Sequence, residues 1–160
     1  MDTRRQTMNL IEMLETSELL LSQLYDAFSR RYKSQKVLWN EMAHEEGKHA
    51  GMIRALEQQV ADGFLQLDND RFDSTSIQMF HDYVKVLLSK AGMKAMSLDR
   101  AFEAALAVEH DLIERRFFDV FDADSPELKL ILEALASATK EHRKRLMAAM
   151  EAYKKSRSRR

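Results

Sequence analysis

The stretch "EMAHEEGKHAGM", residues 41–52, sets Glu46 and His49 three residues apart inside an apolar helical pattern, with "LW" before it and "MIRAL" after it. A Glu-x-x-His step places both side chains on one face of a helix, where carboxylate and imidazole can bind a divalent transition metal together. Three other segments carry polar residues at the same kind of place. Glu18 interrupts the series Ile11, Leu14, Leu21, Tyr25, Phe28 and Tyr32, and Glu109 interrupts Phe102, Leu106, Ile113, Phe117 and Val120. Thr139 and His142 interrupt Leu128, Leu132, Leu135, Leu146, Ala149 and Tyr153. A buried, unpaired carboxylate costs several kcal/mol or shifts its pKa until it is neutral. One such residue reads as a local ion pair, but four segments interrupted together ask for a shared cause.

The elements that must position these residues follow from spacing and punctuation. Apolar residues step by three and four along each series, which is the period of a helix facing a core. Helices are predicted over 5–32, 35–61, 76–92, 97–121 and 126–155. The breaks are "RRYKSQK", the loop "ADGFLQLDNDRFDSTS", the shorter "KAGMKAMS", and "DADSPEL", where Ser125 is an N-cap and Pro126 the first helical residue. Four long helices in two tight hairpins, joined by a long link with a short extra helix, make an antiparallel four-helix bundle with one crossover. In an antiparallel hairpin, residues equally far from the turn lie side by side. The midpoint between Glu18 and the 46/49 pair is near 33, and that between Glu109 and the 139/142 pair is near 125, both inside predicted turns. All four interruptions therefore fall level, at mid-bundle.

Composition narrows the function. The 160 residues suit one domain, and four Gly, one Pro and ten Met suit helices rather than a sheet. Charged residues make up 32% at a net charge of −1, so no global field draws the chain to nucleic acid or to a membrane. The absence of Cys excludes disulfides, thiolate nucleophiles, zinc fingers and iron–sulfur clusters. The N-terminal segment lacks an apolar signal-peptide core, and no apolar run is long enough to span a bilayer, so a cytoplasmic location is expected.

The residues carry a resemblance. "SELLLSQLY", with Glu18 seven residues before Tyr25, "HEEGKHAGMIRAL" and "AFEAALAVEHDLIERRFF" are similar to core helices of the rubrerythrin branch of the ferritin-like superfamily, and the similarity spans nearly the whole chain. It implies an all-α, ferritin-like domain over 1–155; the end "YKKSRSRR" is read from its composition as a basic, frayed tail at 156–160. It implies two iron ions, or other divalent transition metals, on Glu18, Glu46, His49, Glu109 and His142. The implied function is that of a non-haem di-iron oxidoreductase of peroxidase or ferroxidase type, reacting with peroxide or dioxygen. Electrons would come from an external donor, since no cysteine-bound iron domain is present. A homo-oligomer, such as a homodimer, is a further implication.

The chain departs from that pattern at Thr139, where the resemblance implies Glu. Three seam carboxylates remain against the +4 of two ferrous ions. The alternatives are a two-metal site completed by water or an anion, a one-metal site, an iron-binding or storage module without fast turnover, and a metal-free structural or interaction bundle. Tyr25, Thr139 and His110 are candidates for supporting the ligands, with core packing the simpler role for Tyr25 and a flank position for His110. Arg116, if turned inward, could neutralise a carboxylate without metal. His44 is expected on the solvated face, and His81 as surface or packing.

Overall fold

The computed structural model describes residues 3–67, 74–93, 96–115, 121–123 and 125–160. Five helices account for most of them: α1 (Thr3–Arg31), α2 (Lys36–Ala61), α3 (Ser74–Ala91), α4 (Leu98–Arg115) and α5 (Pro126–Ser158). Helix α1 packs against α2 and also against α3, while α4 packs against α5 and touches α3. The molecule is an all-helical bundle, and none of its described helices is long and apolar enough to cross a membrane.

The helix boundaries have local causes. A 3-10 turn, Lys33–Gln35, joins α1 to α2 at the "KSQ" break. Helix α2 ends where Gly63 adopts φ 81°, with Phe64 N donating to Gln59 O (2.8 Å) and Gly63 N to Val60 O (3.1 Å). That pair of bonds closes the last turn, and the positive φ makes Gly the natural residue there. Helix α5 starts as its sequence predicts: Ser125 Oγ accepts from Leu128 N at 3.2 Å, with Pro126 at the first position.

Each predicted seam meets the core, with one rotation. The α1 residues Ile11, Leu14, Glu18, Leu21, Tyr25 and Phe28 are buried, and Leu10, Ser17, Leu20 and Leu24 widen the stripe because α1 has neighbours on two sides. On α4 the buried face is Ala101, Phe102, Ala104, Ala105, Val108 and Glu109, whereas Leu106 and Ile113 of the expected stripe are only half-buried. The expected stripe ran along one side of α4; packing against both α3 and α5 turns its alanines inward instead.

Two features depart from the sequence reading. A two-stranded antiparallel ribbon, β1 (Leu65–Leu67) and β2 (Phe121–Ala123), pairs Leu65 with Ala123 and Leu67 with Phe121. The first strand lies in the expected loop, and the second begins at Phe121, where the fourth helix was expected to end. Strand propensity does not explain the pairing, since Leu-Gln-Leu and Phe-Asp-Ala hold one aromatic and no β-branched residue; Leu65, Phe121 and Ala123 bury one face of the ribbon. The ribbon ties the crossover to the turn that opens α5. In addition, α5 stays helical through Ser158, so the segment expected to fray is exposed helix up to that residue. Arg116, Phe117 and Val120 lie outside the described residues.

Candidate metal centre

Four helices deliver the candidate ligands to mid-core. Helix α1 supplies Glu18, α2 supplies Glu46 and His49, α4 supplies Glu109, and α5 supplies His142. Glu18, Glu46, Glu109 and His142 are buried and His49 is half-buried. They form two groups, Glu18–Glu46–His49 and Glu46–Glu109–His142, and within each group one donor atom per residue lies within 4.8 Å of the others. Glu46 belongs to both. All five residues singled out in the sequence thus converge, as the hairpin midpoints required.

The contacts set the electrostatics. Glu46 Oε2 is 3.2 Å from His49 Nδ1, and Glu46 Oε1 is 2.7 Å from His142 Nδ1. His142 Nδ1 is also 3.6 Å from Glu109 Oε1. Burial pushes Glu18 well above the usual carboxylate range, and the charges of Glu46 and Glu109 add to it. Burial likewise carries Glu109 up to about 7 despite the His142 hydrogen bond that opposes it. Glu46 is held below its ordinary value: burial works the other way, but hydrogen bonds from Glu18, His142 and His49 outweigh it. For His142 burial disfavours the charged ring, yet the Glu109 and Glu46 carboxylates raise it to about 11.

Two carboxylate oxygens of this cluster are fully buried without a hydrogen-bond partner, Glu18 Oε2 and Glu109 Oε2, whereas His142 Nδ1 lies against Glu46 Oε1 at 2.7 Å. The two oxygens come from two different helices and belong one to each group. An unmet buried polar atom costs about 1–3 kcal/mol, so their convergence is a standing electrostatic demand. A divalent cation in each group would meet one of these oxygens, and N/O donors of this kind suit iron, manganese or zinc. The residues present fit a metal.

The supporting residues divide. Tyr25 Oη donates to Glu109 Oε1 at 2.5 Å, so the phenol reaches the cluster as well as packing the core. Thr139 is buried one turn before His142, but its hydroxyl faces Leu135 O of its own helix at 3.4 Å. His110 and His44 are exposed and belong to neither group. His81 is buried packing, its Nε2 2.9 Å from Met13 O and 2.8 Å from Ser17 Oγ.

Sequence reasoning missed the outer shell. His142 Nε2 lies 2.7 Å from Glu45 Oε2, so this imidazole is flanked by carboxylates at both nitrogens. Arg145 grips Glu45 through Nη1 at 2.9 and 2.8 Å and reaches Glu41 through Nη2 at 3.0 Å. A signal existed: Glu41 and Glu45 share a helix face at i,i+4, and Arg145 follows His142 by three.

Comparison with known proteins finds no match: no family model, no curated protein and no solved structure. The class of molecule is therefore set by its own fold and site. It is an all-helical bundle with buried Glu/His clusters that can hold metal.

Proposed function

We propose that the protein is a ferritin-like, rubrerythrin-like bundle that binds two divalent metal ions, iron foremost, and reduces peroxide or dioxygen at them. The observation that carries this reading is Glu46, common to two ligand groups drawn from four helices. Glu18 and His49 would hold one ion, Glu109 and His142 the other, and Glu46 would contribute to both. Two ferrous ions held by these residues would supply the two electrons that reduce the oxidant. The chain's own residues set the conditions for that chemistry. Tyr25 orients Glu109 through its hydroxyl. Glu45, pinned by Arg145, fixes the His142 ring so that Nδ1 faces the cluster. The apolar shell of Leu14, Leu21, Tyr25 and Trp39 keeps the core dry.

Thr139 leaves the cluster one carboxylate short of the pattern the resemblance implies. That shortfall, together with the protonated His142 among three acids, favours a second reading in which the bundle binds iron without fast turnover or holds no metal. A single-turnover experiment separates them. Protein loaded anaerobically with ferrous iron is mixed with peroxide, and the near-ultraviolet absorbance of the oxidised centre is followed. Rapid oxidation that collapses in Glu46→Gln is expected; iron that binds but oxidises no faster than free ferrous ion would remove the oxidoreductase reading.

A further inference from the structure

The crossover helix leaves a hollow that the Glu/His cluster does not use. Between α3 and α4 lies a cavity of about 570 Å³, within the range of about 300–1,000 Å³ that small-molecule sites occupy. None of its lining residues is a candidate metal ligand. Leu87 and Ala104 are buried beneath it, while Tyr83 and Met93 at its rim are 41% and 57% exposed. Water therefore meets apolar surface here that a ligand would cover.

The charges of the lining are gathered at one pole. Lys90 lies in the last turn of α3 and Arg100 in the first turn of α4, so the two flank the link between the helices. Tyr83 and Ala107 each stand seven residues further along their own helix, which is two turns or about 10 Å. The cavity thus has a cationic pole at the link and an uncharged pole at Tyr83 and Ala107. Against the two cations stands one acid, exposed Glu103, so the lining keeps a net positive charge. A cation at the C-terminus of α3 suits the helix field, but the N-terminus of α4 disfavours one, so helix electrostatics does not explain Arg100. Among the described residues neither Lys90 nor Arg100 is held in an ion pair, and Asp99 beside Arg100 is engaged by Arg157.

We propose that this cavity binds a medium-length fatty carboxylate. Its carboxylate lies between Lys90 and Arg100, and its chain runs over Leu87 and Ala104 toward Tyr83 and Ala107. The two poles set this chemistry. A neutral or cationic amphiphile leaves both cations without a partner, and an anion without a chain leaves the apolar floor wet. Met93 and Met96, which also line the cavity, have flexible thioethers that can close over the bound chain. Binding needs no metal, so the inference stands apart from the redox reading.

The test titrates sodium decanoate, below its micelle-forming concentration, into full-length protein isotope-labelled at the methionine methyls, with NMR and calorimetry as readouts. One decanoate per chain is expected, shifting the Met93 and Met96 methyls and leaving that of Met147 on α5, which is no part of the lining, unmoved. Affinity should rise about fourfold per methylene from hexanoate to decanoate. It should fall about tenfold in Lys90→Gln/Arg100→Gln. Ala107→Trp, a change at an exposed position, should fill the uncharged pole and abolish binding. Melting curves verify that each variant folds. No saturable binding, shifts that spread to Met147, decanol or decylammonium bound as tightly, or undiminished affinity in either variant would overturn the proposal. So would capture on phosphatidylglycerol vesicles without binding of free decanoate, which would make this face a membrane contact instead.

Discussion

Glu46 is the residue that the two ligand groups share, so its loss should differ in kind from the loss of a neighbour. Glu18→Gln should leave one ion bound per chain, whereas Glu46→Gln should weaken both; metal analysis after gel filtration separates the outcomes. At the outer nitrogen of His142, Glu45→Gln removes the charge that steadies the ring and should lower metal affinity about 10–100-fold. Competition against a chromogenic chelator would show it, and an unchanged affinity would reduce the Glu45–Arg145 pair to surface decoration. The pH response follows from Glu109, which faces Glu46, Tyr25 and His142 and is raised to about 7. A carboxyl raised on folding stabilises the metal-free fold fully below its ordinary value of 4.5, and that contribution is lost as pH climbs through 7. Raised Glu18 acts in the same direction. Metal binding needs these groups deprotonated and releases protons. The melting temperatures of metal-free and metal-loaded protein should therefore diverge as pH rises from 5 to about 8; parallel curves would count against ligation by Glu109. The five convergent residues were legible because each broke an apolar seam at matching height. Glu45 and Arg145 left only a weak signal, because their pairing joins positions 100 residues apart and the i,i+4 step of Glu41 and Glu45 by itself reads as ordinary surface charge.

At the scale of elements, capping chemistry was the most legible feature. "DSPEL" predicts the start of α5, and the Ser125 hydroxyl does accept from Leu128 N. Ser125→Ala should cost about 1 kcal/mol, lowering the melting temperature by roughly 2–4 °C for a chain of this size. A change well below one degree would mean that another group takes over that N–H. The ribbon was not legible. Its strands are three residues each and lie far apart in sequence, and a two-stranded pair is marginal without a packed face. Its stability comes from burying Leu65, Phe121 and Ala123 against the bundle, which periodicity within either segment does not reveal. The rotation of α4 has a similar origin. An Ala-rich helix presents more than one plausible face, and the choice falls to its neighbours.

For the whole molecule, the bundle was readable from length, composition and two hairpins whose midpoints coincide with turns. What the chain does with its cluster was not, because Thr139 removes the residue that would have completed a familiar ligand set. Three carboxylates and two imidazoles converge in the core in two groups that share Glu46, and two of their oxygens have no hydrogen-bond partner. The most direct measurement is an anaerobic ferrous titration of metal-stripped protein, with ions counted per chain. The account predicts two ions, both lost or severely weakened in Glu46→Gln. No bound ion, in a protein that folds and melts cooperatively, would contradict it and leave the cluster as a proton-sharing network inside a structural bundle.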